Sequence, residues 1–251
     1  SKVRLYSIRY RSDACEVEGY AAFPLEGDAP WPGLIFNRGG NREFGTLRTV
    51  GLCRYASKGF AVFGSQYRGN CGGTGREEFG GRDVYDVLHL MDLALGLPCV
   101  KKPQMYMLGH SRGGMMTYRA CALDKRIRAA AIGAGLADAF IMYDRFHDGE
   151  YDMHQDCVEL IGGTPEELPE EYKKRSAVYW ADKILPPVLI CQGTADWRVV
   201  PEQAYKMDRA LTAAGKEHKL IVYEGADHSL QGTSYVKDVL DWFAAHPLPE
   251  E

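Results

Sequence analysis

No apolar run in this chain approaches the roughly 20 residues that a helical membrane crossing needs; the longest, around "PPVLICQG" and "RAAAIGAGLA", stop far short. The N-terminus, "SKVRLYSIRY", is too charged for the apolar stretch of a secretory signal. Neither sign of charge dominates. The 30 Lys and Arg are scattered and the formal net charge is −4, so no basic face is laid out for nucleic acid or a membrane surface. The chain has no C-x-x-C pair and no H-E-x-x-H or similar ligand spacing, which removes the common zinc sites. Its seven cysteines (Cys15, Cys53, Cys71, Cys99, Cys121, Cys157, Cys191) are odd in number and spread along the sequence. Several lie in apolar stretches where a thiol acts as a small hydrophobe, so we expect reduced, structural cysteines and a cytoplasmic protein. Internal repeats and low-complexity linkers are also missing.

What remains is a chain of 251 residues, 45% hydrophobic, with ample material for a core. Two segments, "VRLYSIRY" and "VEGYAAFP", alternate polar and apolar residues and suggest an antiparallel pair at a sheet edge. After "PWP" the pattern changes to short β-rich runs: "GLIF", "FAVFGSQ", "QMYMLG", "RAAAIG", "PVLICQG" and "KLIVYEG". Such runs are the mark of parallel strands covered on both faces. Helical segments separate most of them. One runs from Thr46 to the stop at Gly59; a second carries Val84, Val87, Leu88 and Met91 on one face and stops at Gly96 and Pro98; a third opens with Pro201 and closes at Gly215. "SYVKDVLDWFAAHP" forms the last. The expectation is one α/β domain over residues 1–251, a mostly parallel sheet with helices on both faces. An irregular, acidic and aromatic stretch over 136–180 interrupts the alternation as a cap-like insert.

The chemistry is concentrated in "YMLGHSRGGMM". Here Ser111 stands between a strand and a helix in the pattern G-x-S-x-G, where a tight turn forces its backbone into strained dihedrals and small residues must flank it. Gly109 and Gly113 meet that need. The hydroxyl is exposed at the sheet's C-terminal edge, by a helix N-terminus that favours developing negative charge. A serine needs a base, itself oriented by a carboxylate, and in this strand–turn–helix context they follow in the order Ser, Asp or Glu, His. Asp196 in "LICQGTADWRVVP" and His228 in "LIVYEGADHSL" each come just past a strand and so reach the same edge. The other histidines (His89, His110, His147, His154, His218, His246) follow no terminal strand. Asp227 neighbours His228 too closely for the required hydrogen bond, and Asp182 lies before the strand. Two backbone N–H groups should bind the developing oxyanion: that of Arg112, after the nucleophile, and that of Gly40 in "NRGGNREFG", with Asn41 next in line.

These motifs together resemble the catalytic domain of the prolyl oligopeptidase family within the α/β-hydrolase superfamily. "FNRGGN" stands where the family carries H-G-G; "QYRGNCGGTG" resembles its Y-R-G-S-x-G-Y-G segment; "GRDVYDVLHLMD" resembles its G-x-x-D-x-x-D helix; "GHSRGG", "GTADWRVVP" and "GADHSL" complete the set. The resemblance implies the triad Ser111, Asp196 and His228, oxyanion donors Gly40 and Arg112, and no cofactor or metal. Two departures bear on substrate. The sequence begins directly at the hydrolase strands, where many peptidases of the family carry a propeller, and it has Arg38 for the usual His and Arg112 for the usual aromatic. From these we expect a carboxylesterase-like enzyme on small acyl esters. A peptidase acting on short peptides or aminoacyl amides is the alternative, and a non-catalytic binding protein the lesser one.

Overall fold

The computed structural model describes residues 3–147 and 153–249. Its frame is a sheet of eight strands: β1 (Val3–Ser12), β2 (Cys15–Pro24), β3 (Gly33–Asn37), β4 (Ala61–Ser65), β5 (Met105–His110), β6 (Ile127–Gly133), β7 (Val188–Gly193) and β8 (His218–Tyr223), ordered 1-2-4-3-5-6-7-8. The strands pair antiparallel at β1/β2 and β2/β4 and parallel elsewhere, so the two alternating segments form the edge hairpin as expected. This mostly parallel sheet covered by helices is the α/β-hydrolase architecture.

The apolar strand runs are double-sided because both faces are covered. Leu34, Leu108, Ala131 and Leu189 face helices α1 (Thr49–Ala56) and α8 (Tyr235–Ala245), meeting Leu52, Tyr55, Val239 and Phe243. Their sequence neighbours Ile35, Met107, Ala130 and Ile190 face the other way. They pack against α2 (Val84–Gly96), α3 (Arg112–Leu123) and α7 (Glu202–Ala213), through Val87, Met91, Met116 and Met207. Each large side chain so enclosed contributes about 1.5–3 kcal/mol relative to exposure. On α2 the face expected from periodicity is the buried one at Val84, Val87 and Met91, and it widens to Leu90 and Ala94. The helix expected from Thr46 starts three residues later. Leu47 is buried and its N–H donates to the Gln66 side chain, which keeps this turn out of the helix.

The stretch after β6 is not irregular, as expected from sequence, but helical. It holds α4 (Ala139–His147), α5 (Met153–Ile161), α6 (Pro169–Lys174) and two short 3-10 turns at Ala177–Tyr179 and Ala181–Lys183. Asp138 accepts from the N–H groups of Phe140 and Ile141 to start α4, and α6 has Pro169 and two glutamates in its first turn and two lysines in its last. Its aromatic residues mainly seat it. Phe140 and Tyr143 pack on the fully buried Tyr172, ring centroids 5.6 and 5.8 Å apart. Tyr151 and the side chain of Phe146 lie outside the described residues. The cysteines are free thiols, Cys121, Cys157 and Cys191 among them buried.

Two glycines give opposite expectations for stability. A Cβ on Gly109 would lie 2.0 Å from the Gly113 carbonyl oxygen, in backbone that cannot yield, so Gly109→Ala should cost about 3 kcal/mol or more in urea unfolding. At Gly96, on the last turn of α2, nothing lies within 4 Å, and Gly96→Ala should stabilise by about 0.5 kcal/mol.

Candidate active site

The elbow follows from sterics. β5 delivers the chain to Ser111, whose backbone adopts φ 59° and ψ −125°, before α3 begins at Arg112. A non-glycine residue there carries about 1–3 kcal/mol of strain, and three backbone hydrogen bonds hold it. Ser111 N–H donates to Gly133 O (3.0 Å), and its carbonyl accepts from Gly114 N–H (2.9 Å) and Leu136 N–H (3.2 Å). A Cβ on Gly113 would meet Asn37 O at 2.1 Å, and one on Gly39 would lie 3.0 Å from Ser111 Cβ. The loop after β3 therefore runs directly against Ser111.

Asp196 and His228 arrive on loops after β7 and β8 that are tied together: Ala195 N–H donates to Ala226 O (2.9 Å) and Gly225 N–H to Thr194 Oγ1 (2.8 Å). The Asp196 carboxylate is buried and receives four hydrogen bonds. Oδ1 accepts from Arg198 N–H (3.0 Å) and Val199 N–H (2.9 Å); Oδ2 accepts from Gln192 Nε2 (3.2 Å) and from His228 Nδ1 (2.9 Å). Such a carboxylate can hold a charged imidazole without being free to move. Among the described residues no hydrogen bond joins the Ser111 hydroxyl to the His228 ring, a bond that commonly tightens only with substrate in place. The rival acids do not compete. Asp227 is turned to its own loop, accepting from Ser229 N–H and Oγ, and Asp182 is exposed on a 3-10 turn.

The remaining histidines separate clearly. His89 bonds Ser12, His218 bonds Lys216 O, and His246 bonds Trp242 O, all away from the site; the side chains of His147 and His154 lie outside the described residues. His110 is different. Its Nε2 bonds the His228 carbonyl at 2.8 Å and its ring meets the His228 ring edge-on at 4.9 Å. Burial, then the neighbouring His228, pull its pKa down to about 4, so at neutral pH it is an uncharged donor that steadies the His228 backbone.

Gly40 has φ 66° in the turn after β3. The N–H groups of Gly40 and Arg112 have no acceptor among the described residues, as an oxyanion site requires. The Arg112 side chain turns away from the site instead of into it. It is buried between the rings of Tyr67 and Phe79, and donates to Gly40 O (2.9 Å), Glu77 Oε1 (2.9 Å) and Asp83 Oδ2 (2.5 Å). Sequence reasoning missed this ionic layer, including Arg38 beside Glu77 and the pair Arg68–Asp86. The signal was present in the acidic positions of "GRDVYDVLHLMD" and the arginine of "QYRG", whose partners lie far along the chain. Among the described residues, no three His, Cys, Asp or Glu side chains converge as metal ligands, and no helix is long and apolar enough to cross a membrane.

The model of the prolyl oligopeptidase family matches residues 50–247. The uncharacterized peptidase YtmA of Bacillus subtilis is 33% identical over 90% of this chain and 86% of its own length. Among solved structures, the acylaminoacyl peptidase of Pyrococcus horikoshii superposes with a TM-score of 0.83 at 22% identity, over 100% of this chain and 43% of that one. A puromycin-hydrolyzing peptidase of Mycobacterium tuberculosis gives a TM-score of 0.75 at 26% identity, over 94% of this chain and 37% of that one. The chain thus spans less than half the length of these two solved relatives.

The geometry ranks the two neighbouring acids. Asp196→Asn should leave the fold intact and lower kcat by about 10⁴-fold, whereas Asp227→Asn, at an exposed site, should stay within about twofold of wild type. Steady-state kinetics with any turned-over substrate checks this, and the reverse order would reassign the acid.

Proposed function

Because the chain belongs to the prolyl oligopeptidase family of serine hydrolases, we propose that it is a serine peptidase acting on short peptides or aminoacyl amides through Ser111, His228 and Asp196. The observation that carries the reading is the His228–Asp196 bond at 2.9 Å, on a carboxylate already saturated by three other donors, at the edge where Ser111 is strained outward. Ser111 Oγ attacks the substrate carbonyl carbon while His228 Nε2 takes its proton. Charge develops on the carbonyl oxygen, facing the N–H groups of Gly40 and Arg112. The imidazolium, held by Asp196, returns the proton to the leaving nitrogen, the C–N bond breaks and an acyl-enzyme remains. Water, deprotonated by the same His228, then releases the acid and restores Ser111.

The ester preference expected from sequence gives way to the peptidase alternative. The relative that matches nearly end to end is named a peptidase, and so are the two solved neighbours. One departure from the family pattern also loses its force. Arg112 was expected to alter the substrate side, but its side chain is buried beneath the turn and leaves only its N–H toward the substrate. Loss of catalysis, the lesser alternative, is contrary to membership in a family of hydrolases. We take the helical insert to wall one side of the site. Its Cys157, Leu160 and Tyr172 share an apolar cluster with Met115 on the first turn of α3 and Val199 beside Asp196.

The test is a matched pair, an aminoacyl p-nitroanilide and the p-nitrophenyl ester of the same acyl group, beside short unblocked and N-acylated peptides. Amide cleavage should be measurable and should fall by about 10⁴-fold or more in Ser111→Ala, with loss of fluorophosphonate labelling at that residue. Ester turnover without any amide or peptide cleavage would restore the esterase reading.

A further inference from the structure

In the turn that supplies Gly40, three consecutive carbonyls are held from beneath by buried donors. The carbonyl of Arg38 accepts from the Tyr67 hydroxyl (2.9 Å), that of Gly39 from Arg38 Nη1 (3.2 Å) and that of Gly40 from Arg112 Nη1 (2.9 Å). A trans peptide is planar, with C=O and N–H pointing in opposite directions. The Gly39 carbonyl and the Gly40 N–H belong to one such plane, so anchoring the oxygen also fixes the direction of the hydrogen. Arg38 does more than hold one oxygen. It also donates to the carbonyls of Gly45 (3.3 Å), Arg42 (3.2 Å) and Gln66 (2.9 Å), closing the turn on itself and fixing it to the end of β4. The side chain is 2% exposed, lies over the Tyr67 ring, and has its charge balanced at 3.6 Å by Glu77, which also accepts from the Arg42 N–H and from Arg112.

Resting on the peptidase reading above, we propose that Arg38 is a positioning residue whose guanidinium orients and polarises the Gly39–Gly40 peptide, so that the Gly40 N–H is preset for the tetrahedral oxyanion. The residue type matters. A guanidinium offers five donors in one plane and a charge that persists when buried, whereas an imidazole has at most two donors and a lysine ammonium cannot span four carbonyls. Its hydrogen bond to the Gly39 carbonyl draws electron density along the peptide and strengthens the N–H as a donor. The neutral substrate carbonyl gains little from this and the anionic intermediate gains much, so the effect falls on kcat and leaves KM nearly unchanged. Arg112 serves the same array twice, through its own N–H and through the hydrogen bond of its side chain to Gly40 O.

Arg38→Lys, Arg38→Met and Tyr67→Phe test this beside wild type. Arg38→Lys keeps a buried cation and so the fold, while Tyr67→Phe frees only the Arg38 carbonyl and separates the general anchoring of the turn from the guanidinium's own effect. The readouts are kcat and KM on one amide, inhibition by a peptidyl trifluoromethyl ketone, whose adduct with serine carries the oxyanion, and thermal unfolding. Arg38→Met should lower kcat by about 10²-fold, as loss of one oxyanion donor does, with KM little changed. Arg38→Lys should recover only part of this, and Tyr67→Phe should lose about tenfold. In every folded variant the affinity for the ketone should fall in step with kcat/KM. Ketone affinity equal to wild type while kcat falls, or an Arg38→Lys enzyme indistinguishable from wild type, overturns the inference and leaves the peptidase reading intact. A wild-type protein that neither cleaves amides nor binds the ketone overturns both.

Discussion

A serine held at φ 59° is the condition around which this molecule is arranged. The backbone there is tolerable only if nothing bulky approaches, and so glycines at 109 and 113 are needed where a Cβ would sit about 2 Å from main-chain atoms. It also needs anchors on both sides. Gly133 at the end of β6 accepts from the Ser111 N–H, and Leu136 just beyond donates to its carbonyl, so the adjacent strand must end level with the elbow. That level is the parallel edge itself, which is where the loops after β3, β7 and β8 also emerge. One strained dihedral thereby selects the sheet position, the neighbouring strand and the small residues.

Beneath and beside that turn, buried charge is met by several hydrogen bonds at once. The Asp196 carboxylate has four donors, and Arg38 and Arg112 lie against carbonyls, carboxylates and aromatic rings, with only Arg112 Nε and Asp83 Oδ1 of that layer's charged groups left unpartnered among the described residues. A buried ion pair contributes little net stability over an apolar replacement, so such a layer is better understood as a means of holding dipoles in one orientation. Water in the same place would reorient as charge develops, whereas these groups cannot. The neutral His110 extends the principle to the other end of the site, where its ring nitrogen holds the carbonyl of His228.

Six strands were legible as short β-rich runs and the edge pair β1 and β2 as polar–apolar alternation, and all eight emerge within a residue or two of their expected places. Ser111, Asp196 and His228 were legible because each comes just past such a strand, and the structure brings the acid and the imidazole into contact. The helices of the insert were not. Their apolar faces are short, and much of their order comes from Tyr172 and its ring neighbours, which no local pattern reveals. The arginine layer was also hidden, since Arg38, Gln66, Glu77 and Arg112 meet only after folding and a charged residue in sequence usually signals a surface.

The proposed nucleophile and its proposed base are seated very differently in the sheet. Ser111 follows β5, flanked on both sides by parallel neighbours, whereas His228 follows β8, a partly exposed edge strand with a partner on one side only. Edge strands open at lower free energy than the centre of a sheet. A transient release of β8 from β7 would draw the imidazole away while the strained serine and the turn at Gly40 stayed in place. Heating should therefore silence the enzyme before the core melts, and an amide in β8 should exchange with solvent faster than one in β5. The lifetime of the proposed site would then be set by the pairing of β8 with β7 and not by the core.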